Sequence, residues 1–217
     1  MTEEDGDENK VTVHVTGFGA FQDIKINPSW EIVSHLPSTL NHNWLNIQII
    51  TPPEAPKASY HYLYDVAPKL LEEHKPDVVV HIGLAVERTY FAIEKGAERD
   101  GYNQYPDNDR KVFNKSETKK AWGMSPPHLE SSFDLEDVLV KWRAQVGKDV
   151  NLRTSDDVGN YVCGFVYYTS LEYSWKRRID APVVFMHVPP LPEKGDIEEG
   201  VKATLGLIQV LAESLLR

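Results

Sequence analysis

The sequence predicts a three-layer α/β/α sandwich with a mostly parallel central sheet, and three observations lead there. Short apolar runs alternate with helical patterns along the chain, as they do where crossover helices join the strands of one sheet. Two of the runs, in Asp77-Val-Val-Val-His-Ile-Gly83 and Val183-Val-Phe-Met-His-Val188, are apolar almost throughout, as strands covered on both faces are. The 217 residues, 41% hydrophobic, are enough for one sizeable core. A single domain is expected over 11–217, preceded by an acidic tail, 1–10, whose composition favours disorder.

Taken in order, Val11 to Thr16 is the first strand. Asn27 to His35 is a short helix with Pro28 in its first turn, where proline lacks no needed donor. Leu45 to Ile50 is a strand, Ala58 to His74 an amphipathic helix, and Val78 to Ile82 a buried strand. Gly96 to Ser132 is rich in Asp, Asn, Lys, Ser and Pro and has no clear period. A connector of that length is usually a lid, a binding surface or disordered, and because it follows Glu94 directly it is expected to border the active site and touch the substrate or its leaving peptide. Leu135 to Gln145 is a helix. Ser155, Asp156 and Asp157 are helix N-cap candidates ahead of an apolar stripe of Val158, Tyr161, Val162, Phe165, Val166 and Leu171. Val183 to Val188 is the last strand and Ile197 to Leu216 the closing helix.

The chemistry centres on the one cysteine, Cys163, which falls in the first turns of the predicted helix. Unpaired N–H groups and the positive helix end favour a thiolate there, which makes the sulfur a candidate nucleophile. A partner base is required, and His187 stands near the end of a strand, before Pro189 and Pro190, where side chains reach the ligand crevice of an open sheet. Glu94, in a short apolar stretch, supplies a carboxylate that could hold the second imidazole nitrogen.

Thr16-Gly-Phe-Gly-Ala-Phe21, Asn27-Pro-Ser-Trp30, Val80-His-Ile-Gly83, Glu94-Lys-Gly96, Tyr161-Val-Cys163 and His187-Val-Pro-Pro190 occur in this order along the chain. In that order and spacing they resemble the pyroglutamyl-peptidase I family of cysteine peptidases, over the whole chain and in wording closer to its eukaryotic members. The resemblance implies removal of an N-terminal pyroglutamyl residue from small peptides, with Cys163 as nucleophile, His187 as general acid and base, and Glu94 orienting the imidazole. It implies substrate contacts from Phe18, Phe21, Asn27, Gly83, Leu84, Tyr161 and Val162. The backbone N–H of Cys163 and one from the turn after Gly83 are the expected oxyanion donors. No metal or cofactor is implied. This chain departs from the family in carrying Ala20 where most relatives have proline, Leu84 where bacterial members have glutamine, and no arginine shortly before Pro106-Asp-Asn108.

Net charge of −10 and a pI near 5.3 argue against nucleic acid and anionic membrane as partners. No run approaches the roughly 18 apolar residues of a membrane span, and the acidic start is no secretory signal. A lone cysteine forms no internal disulfide, so a reducing, cytoplasmic setting is expected. No apolar interface stripe stands out, which favours a monomer. Gly17-Phe-Gly19 fails as a dinucleotide loop because Gln22 stands where the third glycine is needed. Two alternatives stay open: a peptide- or lactam-binding protein that has lost catalysis, and a cysteine hydrolase for another cyclic amide.

Overall fold

The computed structural model describes residues 9–179 and 182–215. The middle layer is a seven-stranded sheet in the order β2 (Thr39–His42), β3 (Leu45–Ile50), β1 (Lys10–Thr16), β4 (Val78–Leu84), β9 (Val183–Val188), β5 (Phe91–Glu94) and β8 (Leu152–Ser155). Pairs β3/β1, β1/β4, β4/β9 and β5/β8 are parallel. The β2/β3 and β9/β5 pairs are antiparallel. The layered, mostly parallel architecture is the one the sequence predicts.

Both faces of the sheet are covered, which is why its central strands read as continuous apolar runs. On one face α1 (Pro28–Ser34), α4 (Leu135–Val146) and α6 (Lys194–Leu215) bring Ile32, Leu139, Trp142, Leu207 and Leu211 onto Val13, Ile47, Val80 and Val184. On the other, α2 (Tyr60–His74) and α5 (Val162–Arg177) bring Leu63, Leu71, Phe165 and Tyr168 onto Val79 and Phe185. Each such fully buried side chain contributes ~1.5–3 kcal/mol through the area it removes from water.

Local chemistry sets most helix starts. Asn27 caps α1 by accepting from the Ser29 N–H, with Pro28 at the first position as expected. Asp134 caps α4 through the N–H groups of Glu136 and Asp137. Helix α2 begins at Tyr60, two residues later than Ala58, and its first N–H is taken by the distant Asp107 carboxylate at 2.8 Å.

Helix α5 starts later than expected. Its N-cap is Tyr161, and Ser155, Asp156 and Asp157 lie in the preceding connection. Ser155 pairs with Glu94 at the end of β8. Its hydroxyl accepts from the Asp157 N–H, and Asp157 in turn accepts from the Gly159 N–H. Ser155 and Asp157 are thus spent on their own loop, and Asp156 pairs with Lys95.

Segment 96–132 is not irregular. It holds β6 (Gly96–Glu98) paired antiparallel with β7 (His128–Glu130), and α3 (Lys115–Trp122), capped reciprocally by Asn114 and Glu117. Tyr102, Phe113 and Trp122 pack edge-on or tilted around Phe165, with ring centroids 4.9–5.3 Å apart. Lys10, assigned to the tail from sequence, belongs to β1, and α6 begins at Lys194 rather than Ile197. The rest of the expected disordered tail, up to residue 8, and the last positions, 216 and 217, lie outside the described residues.

Candidate active site

Three side chains from distant segments converge on the α2/α5 face of the sheet. His187, one residue before the end of β9, sits opposite Gly83 of β4 on one side and Ala92 of β5 on the other. Because β5 runs antiparallel to β9, Glu94 comes to lie opposite Phe185, two residues below His187, instead of at the open edge. There it is completely buried and accepts a hydrogen bond from His187 Nδ1 at 2.7 Å. An ionised carboxylate only accepts, so Nδ1 carries the proton and Nε2 is left as the basic nitrogen.

Cys163 is the second residue of α5 and is half-buried. Its Sγ lies 2.9 Å from the point a Cβ on Gly83 would occupy, directly over the strand neighbour of His187. Phe185 Cζ would be still closer to that Cβ, at 2.7 Å. Only glycine leaves room for both. The next helical residue, Gly164, is equally constrained, since a Cβ there would meet the Gly159 carbonyl oxygen at 2.0 Å. Among the described residues no hydrogen bond joins Sγ to the imidazole. Such contacts commonly tighten only when substrate is bound.

The electrostatics differ from the expectation of a resting thiolate. Burial, then the nearby Glu94 charge, pushes the Cys163 thiol up to about 12, with Arg88 opposing. The helix end works in the other direction. Burial thus acts against a resting thiolate, and a neighbouring base has to take the proton. For Glu94, burial is the largest influence and pushes upward. The His187 hydrogen bond and charge, with Ser155 and Arg88, outweigh it and hold the carboxyl below its ordinary value.

Arg88 is the residue that reading the sequence missed. Its Nη1 donates to Glu94 Oε1 at 2.5 Å, the same oxygen that His187 uses, and its Nη2 donates to the Asp157 carbonyl at 2.6 Å and the Ser155 hydroxyl at 3.2 Å. A signal was present: a carboxylate inside an apolar strand demands a cation. Lys95 is adjacent, but strand alternation turns it away, to Glu136 and Asp156.

Most of the remaining predicted residues belong to the same buried cluster as the thiol. Phe18 and Val162 are buried in the α2/α5 core, and Phe21, Tyr161 and Cys163 pack against it. Asn27 is buried too, with its side chain committed to the loop: Nδ2 donates to the Gly19 carbonyl, and Oδ1 accepts from the Ser29 N–H and hydroxyl. The Tyr161 hydroxyl is buried without a hydrogen-bond partner among the described residues. After Gly83, the Ala85 N–H is taken by the Val188 carbonyl at 2.9 Å. Strand alternation then points the Leu84 N–H toward β1, beyond Thr16, the last β1 residue paired with β4.

A doubly covered α/β sheet with a thiol, an imidazole and a carboxylate gathered on one face defines the class of α/β cysteine peptidases. Within it, the chain belongs to the pyroglutamyl peptidase family, whose model matches residues 11–211. It is 29% identical over 209 residues to pyroglutamyl-peptidase 1 of Homo sapiens, covering 96% of this chain and 93% of that one. It is 30% identical over 182 residues to pyrrolidone-carboxylate peptidase of Pyrococcus furiosus, covering 84% and 82%. Crystal structures of pyrrolidone carboxyl peptidase from that hyperthermophile superpose with a TM-score of 0.78 at 26% identity, covering 94% of this chain and 99% of theirs. Pyroglutamyl peptidase I of Bacillus amyloliquefaciens, 19% identical, shares the fold with a TM-score of 0.76 over 95% and 98% of the two chains. No helix among the described residues is long and apolar enough to cross a membrane.

Proposed function

We propose that this protein is a cysteine exopeptidase that hydrolyses the amide bond following an N-terminal pyroglutamyl residue of small peptides. The observation that carries the reading is the buried His187–Glu94 pair, 2.7 Å apart, beside a thiol seated on Gly83. Family membership supports the substrate class. Phe18, Phe21, Tyr161 and Val162, in the same cluster as the thiol, would suit a flat, uncharged lactam ring, whereas the charges of a free glutamate would be desolvated beside them without partners.

In the first half-reaction His187 Nε2 takes the Cys163 proton as Sγ attacks the pyroglutamyl carbonyl carbon. Glu94 stabilises the imidazolium that forms. The C–S bond forms, and the carbonyl pair moves to oxygen, where the N–H groups of Cys163 and Leu84 receive the charge. The intermediate collapses by breaking the C–N bond, and the imidazolium returns its proton to the leaving amine. Water, deprotonated by His187, then cleaves the thioester, giving free pyroglutamate and restoring the thiol. Thiol, imidazole and water supply every proton and electron pair. The setting is a reducing compartment, the cytoplasm, and the unit a monomer.

A chromogenic pyroglutamyl amide assayed beside alanyl and prolyl amides tests the reading. Turnover of the first alone, abolished in Cys163→Ala, is the expected result. Saturable binding without turnover would instead identify a binding protein, and preference for another amide would identify a different hydrolase.

A further inference from the structure

Arg88 lies in the connection between β4 and β5, six residues before Glu94, with its side chain 16% exposed. It is bound at three points: the carboxylate of Glu94, the hydroxyl of Ser155 and the carbonyl of Asp157. The last two belong to the segment that leads from β8 into α5, and so to Cys163. One guanidinium thus spans the orienting acid and the entry to the nucleophile's helix. Its planar fork supplies these donors from a fixed geometry, which a lysine ammonium does not reproduce.

We propose that Arg88 is a positioning residue that sets the His187–Glu94 pair and the charge felt by Cys163, a role that rests on the function proposed above. The shared oxygen is the key observation. Glu94 is completely buried, and Oε2 has no hydrogen-bond partner among the described residues, so Oε1 carries both the imidazole and the guanidinium. Against burial, the His187 hydrogen bond and charge hold this carboxyl down first, with Ser155 and then Arg88 adding to them. Arg88 fixes the same oxygen through Nη1 while leaving the imidazole bond in place. The same cation opposes the influence of Glu94 on the thiol, which burial and that carboxylate both push upward.

The other groups facing this cluster do not replace Arg88. From β9 comes His187 itself. From α5 come Cys163 and Tyr167, the latter donating to the Glu94 backbone carbonyl at 2.9 Å, with Glu130 of β7 nearby. From β8 comes the neutral Ser155. Lys95 is engaged with Glu136 and Asp156, and Arg153 stacks on Tyr90 at 4.1 Å. Arg88 is the cation that touches Glu94.

The test uses the fact that Cys163 is the only cysteine in the chain. Its alkylation by iodoacetamide, followed by mass spectrometry across pH, reports the thiol without any peptide substrate. In Arg88→Gln alkylation at pH 7.5 should slow several-fold, because the cation that opposes the Glu94 charge at the thiol is gone. In pyroglutamyl amide assays kcat should fall more than KM changes. Arg88→Lys keeps the charge but not the fork, so it should hold the wild-type alkylation rate while recovering only part of kcat. Arg88→Met, which retains the apolar stem, repeats the test if thermal melting shows that Arg88→Gln has not folded. An alkylation rate equal to wild type in a folded, charge-free variant overturns the proposal. So does an Arg88→Lys rate as low as that of Arg88→Gln or Arg88→Met. Absence of pyroglutamyl turnover in the wild type would sink the function and leave the alkylation result to judge Arg88 alone.

Discussion

At the scale of single residues, the site depends on one atom that is missing. Gly83 places no Cβ where Cys163 Sγ and Phe185 Cζ converge, at 2.9 and 2.7 Å from that point. Gly83→Ala must displace one of them, and the half-buried thiol has more freedom than a ring packed in the core. Misplacement of a reacting atom by about 1 Å can cost ~100-fold. The expected outcome for Gly83→Ala is a fall of that order in kcat/KM toward the pyroglutamyl amide, with the circular dichroism spectrum and melting transition retained. Undiminished turnover would show that the sulfur does not work from its seat on β4. Glu94 teaches the complementary point. An acid in Phe-Ala-Ile-Glu looks like a surface charge at a strand end, yet it is the most thoroughly buried charge at the site, because β9 and β5 pair antiparallel.

At the scale of elements, segment 96–132 does not hang over the site as a loose lid. Its aromatic residues anchor it to α5, and one turn of it reaches the loop that carries Phe21. Asn108 Nδ2 donates to the Ala20 carbonyl at 3.0 Å, and Asn108 Oδ1 accepts from the Gln22 N–H at 3.2 Å. These two bonds flank Phe21 on either side, and Gln22 is held at φ 47°, in the left-handed region. With alanine at position 20, the loop takes its order from hydrogen bonds rather than from a fixed φ. Net values of ~0.5–1.5 kcal/mol per bond predict that Asn108→Ala raises KM for the pyroglutamyl amide several-fold, with kcat within about twofold of wild type. A KM unchanged in steady-state assays would show that the loop is ordered without Asn108. Helix α5 shows the same dependence on context: its start is set by the Ser155–Gly159 loop, and no side chain caps it.

For the whole molecule, the sheet hides a second polar cluster away from the site, on β1 and β4 beneath α2 and α5. His81 is bound between Thr16 at 2.6 Å and Ser170 at 2.9 Å. Neither ring nitrogen of His14 has a hydrogen-bond partner among the described residues, and its ring stacks on His74 at 5.4 Å. Burial, then His74, lowers His14 to about 4, and burial, then His14, lowers His81 to about 3. In the unfolded chain both take up protons near 6.5. The unfolded state therefore binds more protons below that pH, and stability falls as pH drops from about 6.5 toward 4 and then 3. Above 6.5 these two groups contribute no slope. Urea midpoints should be clearly lower at pH 5.0 than at pH 7.5, and His14→Phe should flatten the difference. Equal midpoints for the wild type at the two pH values would contradict the burial of these imidazoles in neutral form.

The sequence by itself determined the layered α/β class, four strands and five helices, and pointed to the thiol, imidazole and acid as the candidate site, because each follows from local pattern or from motif order. It did not reveal the edge strands β2 and β8, whose Thr-Leu-Asn-His and Leu-Arg-Thr-Ser carry no apolar run, or the β6, α3 and β7 elements, whose stability comes from rings elsewhere in the chain. Tertiary structure alone decided that β5 runs against β9, that Glu94 is buried, that Arg88 shares its oxygen, and that burial pushes the thiol upward. All four follow from burial and strand direction. Those are set by which segments pack together, and a linear chain does not display that until it has folded.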